Sequence, residues 1–307
     1  MSLYGWLAPK GASGFGYGST AAEVTEGFSL EGRTMLVTGC NSGIGQETLR
    51  VLALRGARVV GTARTLEKAE GACRAVEGQT LPLACELSEP ASVFACVEAV
   101  KQAGVELDAI VCNAGVMALP KLEQAHGYEL QFFTNHMGHF MLVTGLLSRL
   151  AEHGRVVVVS SSAHRQAPRA GIEFDNLDGS KGYGAWSAYG QSKFANLLFA
   201  KELARRLAAG KQTANAIHPG VIRTNLQRHM SSPLAALLNA SGPLALKSVA
   251  EGAATQVYVA THPTLAAVSG RYFADCNLAT PRADADDEAL ARKLWETSEA
   301  IVAKLRA

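Results

Sequence analysis

Short apolar runs alternate with longer stretches of helical periodicity from Arg33 to the end of the chain. The apolar runs are rich in β-branched residues and have the length of β-strands. They lie at Thr34–Thr38, Arg58–Ala63, Leu81–Cys85, Ala109–Cys112, Val156–Ser160, Thr213–Ile217 and Gly270–Phe273. Continuous apolar runs of this kind are typical of parallel strands that are buried on both faces of a sheet.

The stretches between these runs repeat their apolar residues with the period of an α-helix. They lie at Gln46–Arg55, Leu66–Val76, Pro90–Ala103, Tyr128–Leu150 and Ala185–Leu207. Strands that alternate with helices favour right-handed crossovers, which place helices on both faces of the sheet. The sequence therefore predicts an α/β fold: a single doubly wound, Rossmann-type domain with a mostly or wholly parallel central sheet.

Two segments depart from this alternation. Residues 1–30 contain six glycines and have no sustained periodicity, which predicts a loose N-terminal arm before a domain at 31–307. Residues 226–247 are rich in Leu, Ala, Ser, Pro and Met and match neither a helix nor a strand. Glycine makes up 30 of the 307 residues, which exceeds the usual share of about 7%. Flexible segments or demanding turns must account for this surplus.

Charge and composition exclude several classes of function. The chain has 29 basic and 27 acidic side chains, and a net charge of +2 gives no support for a nucleic-acid partner. No stretch approaches the ~20 apolar residues of a membrane span. The six cysteines are scattered, without a C-x-x-C pair or the cysteine–histidine spacing of a zinc site, so no metal is expected. Buried, reduced thiols favour a cytoplasmic location.

A glycine-rich turn follows the first strand and leads directly into a helix. It comprises Gly39, Asn41, Ser42, Gly43, Ile44 and Gly45. Glycine permits a tight turn and a close approach of the backbone to a pyrophosphate, which then meets the free N–H groups of the helix. An ordinary glycine turn is the alternative, but the strand–turn–helix context favours a dinucleotide site.

The end of the second strand indicates which dinucleotide is preferred. An acidic residue there would bind the ribose 2′-hydroxyl of NAD, whereas arginine suits the 2′-phosphate of NADP. This chain has Ala63 and Arg64 and no acidic residue at the tip. A solvated surface arginine is the alternative, and NADP(H) is favoured over NAD(H).

Tyr189 and Lys193 are spaced so that both lie on one face of the long helix predicted at 185–207. A free tyrosine has a pKa of about 10, and a nearby ammonium group favours the phenolate and lowers that pKa. Such a pair can carry out general acid–base catalysis on a carbonyl and its alcohol.

The motifs together resemble the short-chain dehydrogenase/reductase family over nearly the whole chain from about residue 30. They occur in the family's order: Thr38–Gly45, Cys112–Gly115, the serines after Val156–Val159, Tyr189 with Lys193, and Pro219–Gly220. Residues 135–140, 161–164 and 218–226 are similar to the branch that includes the retinol dehydrogenases, the WW-domain oxidoreductase and the chloroplast-translocon-associated dehydrogenase.

The resemblance implies a role for each matching residue. Tyr189 is expected to be the general acid or base, and Lys193 is expected to lower its pKa and to bind the nicotinamide ribose. Ser161 would bind the substrate oxygen, and Asn135 would hold a water that links Lys193 to solvent. The remaining expected cofactor-binding residues are Glu86 and Leu87 near the adenine, Asn113, Ala114 and Gly115 at the sheet centre, and Pro219, Gly220, Ile222 and Thr224 beside the nicotinamide.

These observations predict an NADP(H)-dependent oxidoreductase that transfers hydride to or from a carbonyl or alcohol. The apolar segment 226–247 is interpreted as a substrate loop and suggests a lipophilic small molecule. A dinucleotide-responsive regulatory protein with little turnover is the alternative. Family members pair through helices near residues 120–150 and 185–207, so a homodimer or tetramer is possible. Each histidine near the site is expected to be hydrogen-bonded within the fold, and His164 is the one of them placed best to contact substrate.

Overall fold

The computed structural model describes residues 8–222 and 246–306. Its centre is an eight-stranded sheet in the spatial order β10-β9-β8-β7-β4-β1-β2-β3. The strands are β1 Thr34–Thr38, β2 Arg58–Ala63, β3 Thr80–Ala84, β4 Leu107–Cys112, β7 Leu150–Val159, β8 Thr213–His218, β9 Tyr272–Ala274 and β10 Asn277–Leu278. All neighbours are parallel except β9 and β10. This confirms the predicted doubly wound fold.

Helices cover both faces of the sheet. They are α1 Gly43–Leu54, α2 Leu66–Arg74, α3 Pro90–Gln102, α4 Leu130–Phe132, α5 Gly138–Leu146, α6 Ala185–Arg206, α7 Val249–Thr261 and α8 Glu288–Arg306. A π-helical segment, Phe133–Met137, joins α4 to α5. A small antiparallel pair, β5 Gln124–Ala125 and β6 Tyr128–Glu129, precedes α4, so the predicted helix at 128–150 begins later than expected.

The core consists of two apolar layers, one on each face of the sheet. In β7, Val156 and Val158 pack in the layer beneath α3, α5, α6 and α8, whereas Val157 and Val159 pack in the layer beneath α1, α2 and α7. Successive side chains of a strand point to opposite faces, so a strand with a core on both sides needs an unbroken apolar run. This explains the four consecutive valines.

Helix α8 covers the outer faces of α5 and α6. The Trp295 ring stacks on Phe199 and contacts Phe140 edge-on, with ring centroids 5.8 and 5.0 Å apart. The Ser298 hydroxyl lies 2.9 Å from Nε2 of His136. The helices that the family resemblance assigned to pairing between subunits are therefore packed against this chain's own last helix.

Residues 8–30, part of the predicted N-terminal arm, pack on the domain. Ala21, Val24 and Leu30 are buried in the apolar layer beneath α7. The Phe15 ring packs edge-on against Tyr258, and the Asn277 amide donates to the carbonyl of Phe15 over 3.0 Å. Apolar residues between the glycines anchor the segment, because they bury surface against α7.

Candidate active site

The glycine loop between β1 and α1 has the backbone geometry that a bound dinucleotide requires. Gly39 and Gly43 adopt positive φ angles of 69° and 55°, which favour glycine. A Cβ atom on Gly45 would lie 2.2 Å from the carbonyl oxygen of Gly39, so this position admits only glycine. No side chain caps the N-terminus of α1 and no acidic residue lies in its first turn, whereas Asn41 and Ser42 are exposed. The free N–H groups of Gly43 and Ile44 fit a phosphate group.

Buried hydrogen bonds fix the loop where the strand order reverses, between β1 and β4. The hydroxyl of Thr38 accepts from the backbone N–H groups of Asn113 and Ala114, over 2.9 and 3.0 Å. The Asn113 amide donates to the carbonyl of Thr38 over 2.8 Å, as expected for a brace at the sheet centre. The role of Thr38 was not predicted; a polar residue at the end of an otherwise apolar strand was the available signal.

Arg64 and Glu86, which the sequence assigned to different parts of the adenosine site, form an ion pair. The Nε atom of Arg64 lies 3.4 Å from Oε2 of Glu86, and 63% of the arginine side chain is exposed. Leu87 follows, and its side chain is buried in the core against Gly138. The predicted adenosine residues thus lie together at the ends of β2 and β3, with an arginine accessible to an anion.

Tyr189, Ser161 and Lys193 converge at the carboxyl edge of the sheet. The Tyr189 hydroxyl interacts with the Ser161 side chain. Lys193 lies one turn after Tyr189 on α6, with its Nζ atom 5.8 Å from the centre of the Tyr189 ring. This Nζ atom donates to the carbonyl of Val159 over 3.0 Å. Adjacent Ser160 points the other way and donates to the carbonyl of Lys193 over 2.7 Å, as strand alternation predicts.

Burial controls the protonation of Tyr189 and Lys193. It raises the pKa of Tyr189 to about 12, although the hydrogen bond with Ser161 lowers it. Burial also lowers the pKa of Lys193 to about 8, while nearby Cys112 raises it. The pKa of Tyr189 thus lies above its ordinary value, opposite to the expected direction, because desolvation of the phenolate is the larger effect.

Asn135 lies in the π-helical segment and is completely buried. Its amide donates to the carbonyl of Val116 and to the Ser192 hydroxyl, both over 2.9 Å, and its oxygen accepts from the Val116 N–H over 2.8 Å. A Cβ atom on Gly115 would lie 2.8 Å from the Asn135 oxygen and 3.4 Å from Nζ of Lys193. Gly115 thus keeps the space between the two side chains open.

Pro219, Gly220 and Ile222 extend from the end of β8 toward the glycine loop. Ile222 and Ile44 meet over Gly252, where an added Cβ atom would lie 2.6 Å from the former and 2.8 Å from the latter. Thr224 and residues 226–245 of the predicted substrate loop lie outside the described residues.

A buried lysine, Lys247, supports Gly220 from beneath. Its aliphatic stem contacts Gly220, and its Nζ atom lies 2.6 Å from a carboxylate oxygen of Asp275. The burial of Lys247 was not predicted, because the residues around it in the sequence give no sign that it is buried.

The histidines near the site are held within the fold. His139 lies 2.9 Å from both the carbonyl of Asn135 and the hydroxyl of Thr38, which confirms the expected hydrogen-bonded role. His164 is buried; one ring nitrogen lies 2.6 Å from the carbonyl of Ser161, and the other accepts from the Arg282 N–H over 3.2 Å. Both its nitrogens are therefore engaged within the fold, as expected of a hydrogen-bonded histidine.

Residues 8–222 and 246–306 contain neither a cluster of metal ligands nor a membrane-spanning helix. In this part of the chain, no three His, Cys, Asp or Glu side chains are grouped so that they could hold a metal ion. Helices long and apolar enough to cross a membrane are absent from the same residues.

The chain is similar to known proteins over most of its length. The family described as short chain dehydrogenase matches residues 33–174 and 175–235. The short-chain dehydrogenase TIC 32 A, chloroplastic, of Brassica napus is 40% identical over 321 residues, covering 99% of this chain and 100% of that protein. Retinol dehydrogenase 14 of Homo sapiens is 38% identical over 299 residues, covering 90% of this chain and 88% of that protein.

The chain also resembles solved structures. An uncharacterized protein from Mycobacterium Paratuberculosis has a TM-score of 0.74 at 33% identity, covering 91% of this chain and 96% of that one. The RhlG/NADP active-site complex of Pseudomonas aeruginosa has a TM-score of 0.63 at 27% identity, covering 80% of this chain and 96% of that one. The resemblance noted in the sequence is confirmed, and the chain belongs to the short-chain dehydrogenase family of NAD(P)-dependent oxidoreductases.

Proposed function

We propose that this protein uses NADP(H) to transfer hydride between the nicotinamide and a carbonyl or alcohol of a lipophilic small molecule. The observation that carries the proposal is the convergence of Tyr189, Ser161 and Lys193 beside the glycine loop. A dinucleotide held by that loop and by Gly220 and Ile222 would supply the hydride. The residues of the chain would orient the substrate and move the proton.

The protonation of Tyr189 suits the reductive direction at neutral pH. A phenol with a pKa of about 12 keeps its proton and can donate it to a carbonyl oxygen that gains negative charge. The Ser161 hydroxyl, in contact with Tyr189, would donate to the same oxygen and fix its position. Lys193, with a pKa of about 8, carries a proton at pH 7 and provides the nearby positive charge. Asn135 would hold the water that connects Lys193 to solvent.

Arg64 supports NADP over NAD. Its exposed guanidinium lies at the tip of β2, and Glu86 holds it there through an ion pair without covering it. Planar guanidinium groups bind phosphate oxygens through two hydrogen bonds, so this position suits a ribose 2′-phosphate. Glu86 would accept a hydrogen bond from the adenine amino group, as the family resemblance implies.

Exposed apolar side chains beside the site support a lipophilic substrate. The Trp186 ring stands edge-on to the Tyr189 ring with centroids 6.1 Å apart, and 40% of Trp186 is exposed. Val221, which follows Gly220, is 48% exposed. Exposed apolar residues near a catalytic group are commonly covered by a ligand. We therefore infer that the hydrocarbon part of the substrate packs against Trp186.

The substitution Tyr189→Phe tests this function, because it removes only the hydroxyl. We expect the rate of carbonyl reduction to fall by about 10²- to 10⁴-fold, while the affinity for NADPH stays unchanged. Tyr258→Phe is the matched control, since Tyr258 is buried on α7, away from the site. Wild-type rates in Tyr189→Phe would refute the mechanism.

The regulatory alternative gives a different result in the same assay. A protein that binds NADPH but reduces none of a panel of aldehydes and ketones would support a sensor instead of an enzyme.

The proposal also includes a cytoplasmic location. It is supported by the six cysteines, which are all free thiols in the structure.

A further inference from the structure

Two cysteines from different elements face each other beneath the glycine loop. Cys40 follows β1, and Cys73 lies in the last turns of α2. Gly61 of β2 leaves room for both sulfur atoms: a Cβ atom at this position would lie 3.1 Å from Sγ of Cys40 and 3.0 Å from Sγ of Cys73. Because both Sγ atoms approach the same point, the two thiols are near neighbours.

The two thiols are chemically unequal. The interaction with Cys40 lowers the pKa of Cys73, and Thr80 and the backbone of Gly61 act in the same direction against burial. The same interaction, together with burial, raises the pKa of Cys40. Cys73 is therefore the thiol of the pair that ionises more readily, and thiolates are the nucleophiles of thiol–disulfide exchange. Cys40 is placed to complete the exchange as the second thiol.

The pair lies close to the surface that the dinucleotide would cover. Cys40 is completely buried, but its neighbour Asn41 is exposed, and the Cys40 N–H donates to the carbonyl of Thr62 at the end of β2. Cys73 keeps 5% of its surface exposed, so an oxidant meets this thiol first. A bound dinucleotide would restrict the movement of the glycine loop that allows an oxidant to reach the two thiols.

We propose that Cys40 and Cys73 form a reversible disulfide with a small organic disulfide, such as oxidised glutathione, as the oxidant. The Cys73 thiolate attacks one sulfur of the oxidant and releases one thiolate, which leaves a mixed disulfide on Cys73. Cys40 then gives its proton to the thiolate just released and attacks the Cys73 sulfur, which releases the second thiolate. Two protein thiols are oxidised and one disulfide is reduced to two thiols.

The disulfide is expected to weaken dinucleotide binding, an effect that rests on the proposed function. Closing the bond pulls on Cys40 and on Gly39, whose position is tightly fixed: a Cβ atom on Gly39 would lie 2.9 Å from Cβ of Ala114. A pyrophosphate site made of backbone N–H groups tolerates little displacement. By linkage, a ligand that binds the reduced protein more tightly also opposes its oxidation by the same factor.

The test uses the cofactor-free protein, oxidised glutathione at pH 8, and mass spectrometry after alkylation of the remaining thiols. We expect two of the six thiols to be lost without retained glutathione, and a peptide pair that joins Cys40 to Cys73. Preincubation with NADPH should slow this loss at least tenfold. Cys73→Ser should abolish the bridge. Gly61→Ala keeps both thiols but places a methyl group against both sulfur atoms, and it should slow bridging tenfold or more.

The second neighbouring pair, Cys85 and Cys96, provides the control. Both are buried in the apolar layer on the opposite face of the sheet, so Cys96→Ser should lose two thiols as the wild type does. Six intact thiols, a persistent glutathione adduct on Cys73, or a bridge between Cys85 and Cys96 would overturn the proposal. A bridge in a protein that never binds NADPH would instead refute the proposed function and leave the disulfide standing.

Discussion

Replacing Lys193 with methionine should abolish turnover and stabilise the folded protein. Lys193 is buried, and burial lowers its pKa from 10.5 to about 8. At pH 7 the folded state therefore carries a buried charge that the unfolded state keeps in water. This pKa difference corresponds to a cost of about 3 kcal/mol, at about 1.4 kcal/mol per pH unit. Methionine has a similar length and carries no charge.

The hydrogen bond that is lost offsets only part of this gain. Nζ of Lys193 donates to the carbonyl of Val159, but the Asn196 amide donates to the same oxygen over 3.1 Å. The carbonyl thus keeps a partner in Lys193→Met, and the loss is about 1 kcal/mol. The net expectation is an increase of about 2 kcal/mol in the free energy of unfolding at pH 7.

The pH dependence separates this cause from general repacking. Between pH 8 and 10.5 the unfolded wild type binds more protons than the folded form, so its stability rises with pH. The advantage of Lys193→Met should therefore shrink to near zero by pH 9.5. Above pH 10 the raised pKa of Tyr189 acts in the opposite direction, because the folded state then holds the extra proton.

Urea unfolding of the cofactor-free protein at pH 7 and pH 9.5 measures both effects. Lys211→Met is the control, since Lys211 is exposed and pairs only with exposed Glu152; its effect should be within about 0.5 kcal/mol at either pH. If Lys193→Met is less stable than the wild type at pH 7, or if its advantage does not change with pH, the argument from desolvation is refuted.

Three further predictions concern the cofactor site and the state of association. Arg64→Ala should raise KM for NADPH by about 10- to 100-fold, the value of a charge-assisted contact, and leave KM for NADH unchanged; equal effects would contradict the 2′-phosphate role. Gly45→Ala should abolish NADPH binding in fluorescence titrations, whereas Gly71→Ala, at an open position on α2, should bind normally. Light scattering after size exclusion should give one chain of 32.3 kDa, because α8 covers the helices expected to pair; twice that mass would refute this.

The sequence predicts best the elements whose pattern has a single explanation. The bounds of β1 and β2 agree with the prediction at both ends, because an apolar run between turn residues fits only a buried strand. Helix α7 was missed, since it is buried on nearly every side and lacks an amphipathic pattern. Ser248 and Glu251 form a capping box at its start, and this spacing was the available signal.

The sequence identified the residues of the site better than it predicted their pKa values. Spacing on a helix identifies Tyr189 and Lys193, but their pKa values depend on how much protein surrounds them. Lys193 and Tyr189 are both buried by elements distant in sequence, so a pattern of four residues carries no information on desolvation. The approach of Cys40 to Cys73 likewise depends on Gly61, which belongs to a third element.

The side chains proposed for catalysis, and Thr38 beside them, are positioned by main-chain atoms of neighbouring elements. Lys193 is bound to the end of β7, Asn135 to Val116 after β4, and Thr38 to the N–H groups that follow β4. Backbone groups at the edge of a buried sheet move little, and they stay in place when side chains elsewhere are exchanged. Residues such as Trp186 and Val221 have no comparable tie. Substitutions there can therefore change which substrate is accepted while the proton-transfer geometry is preserved, which is how one fold serves many substrates.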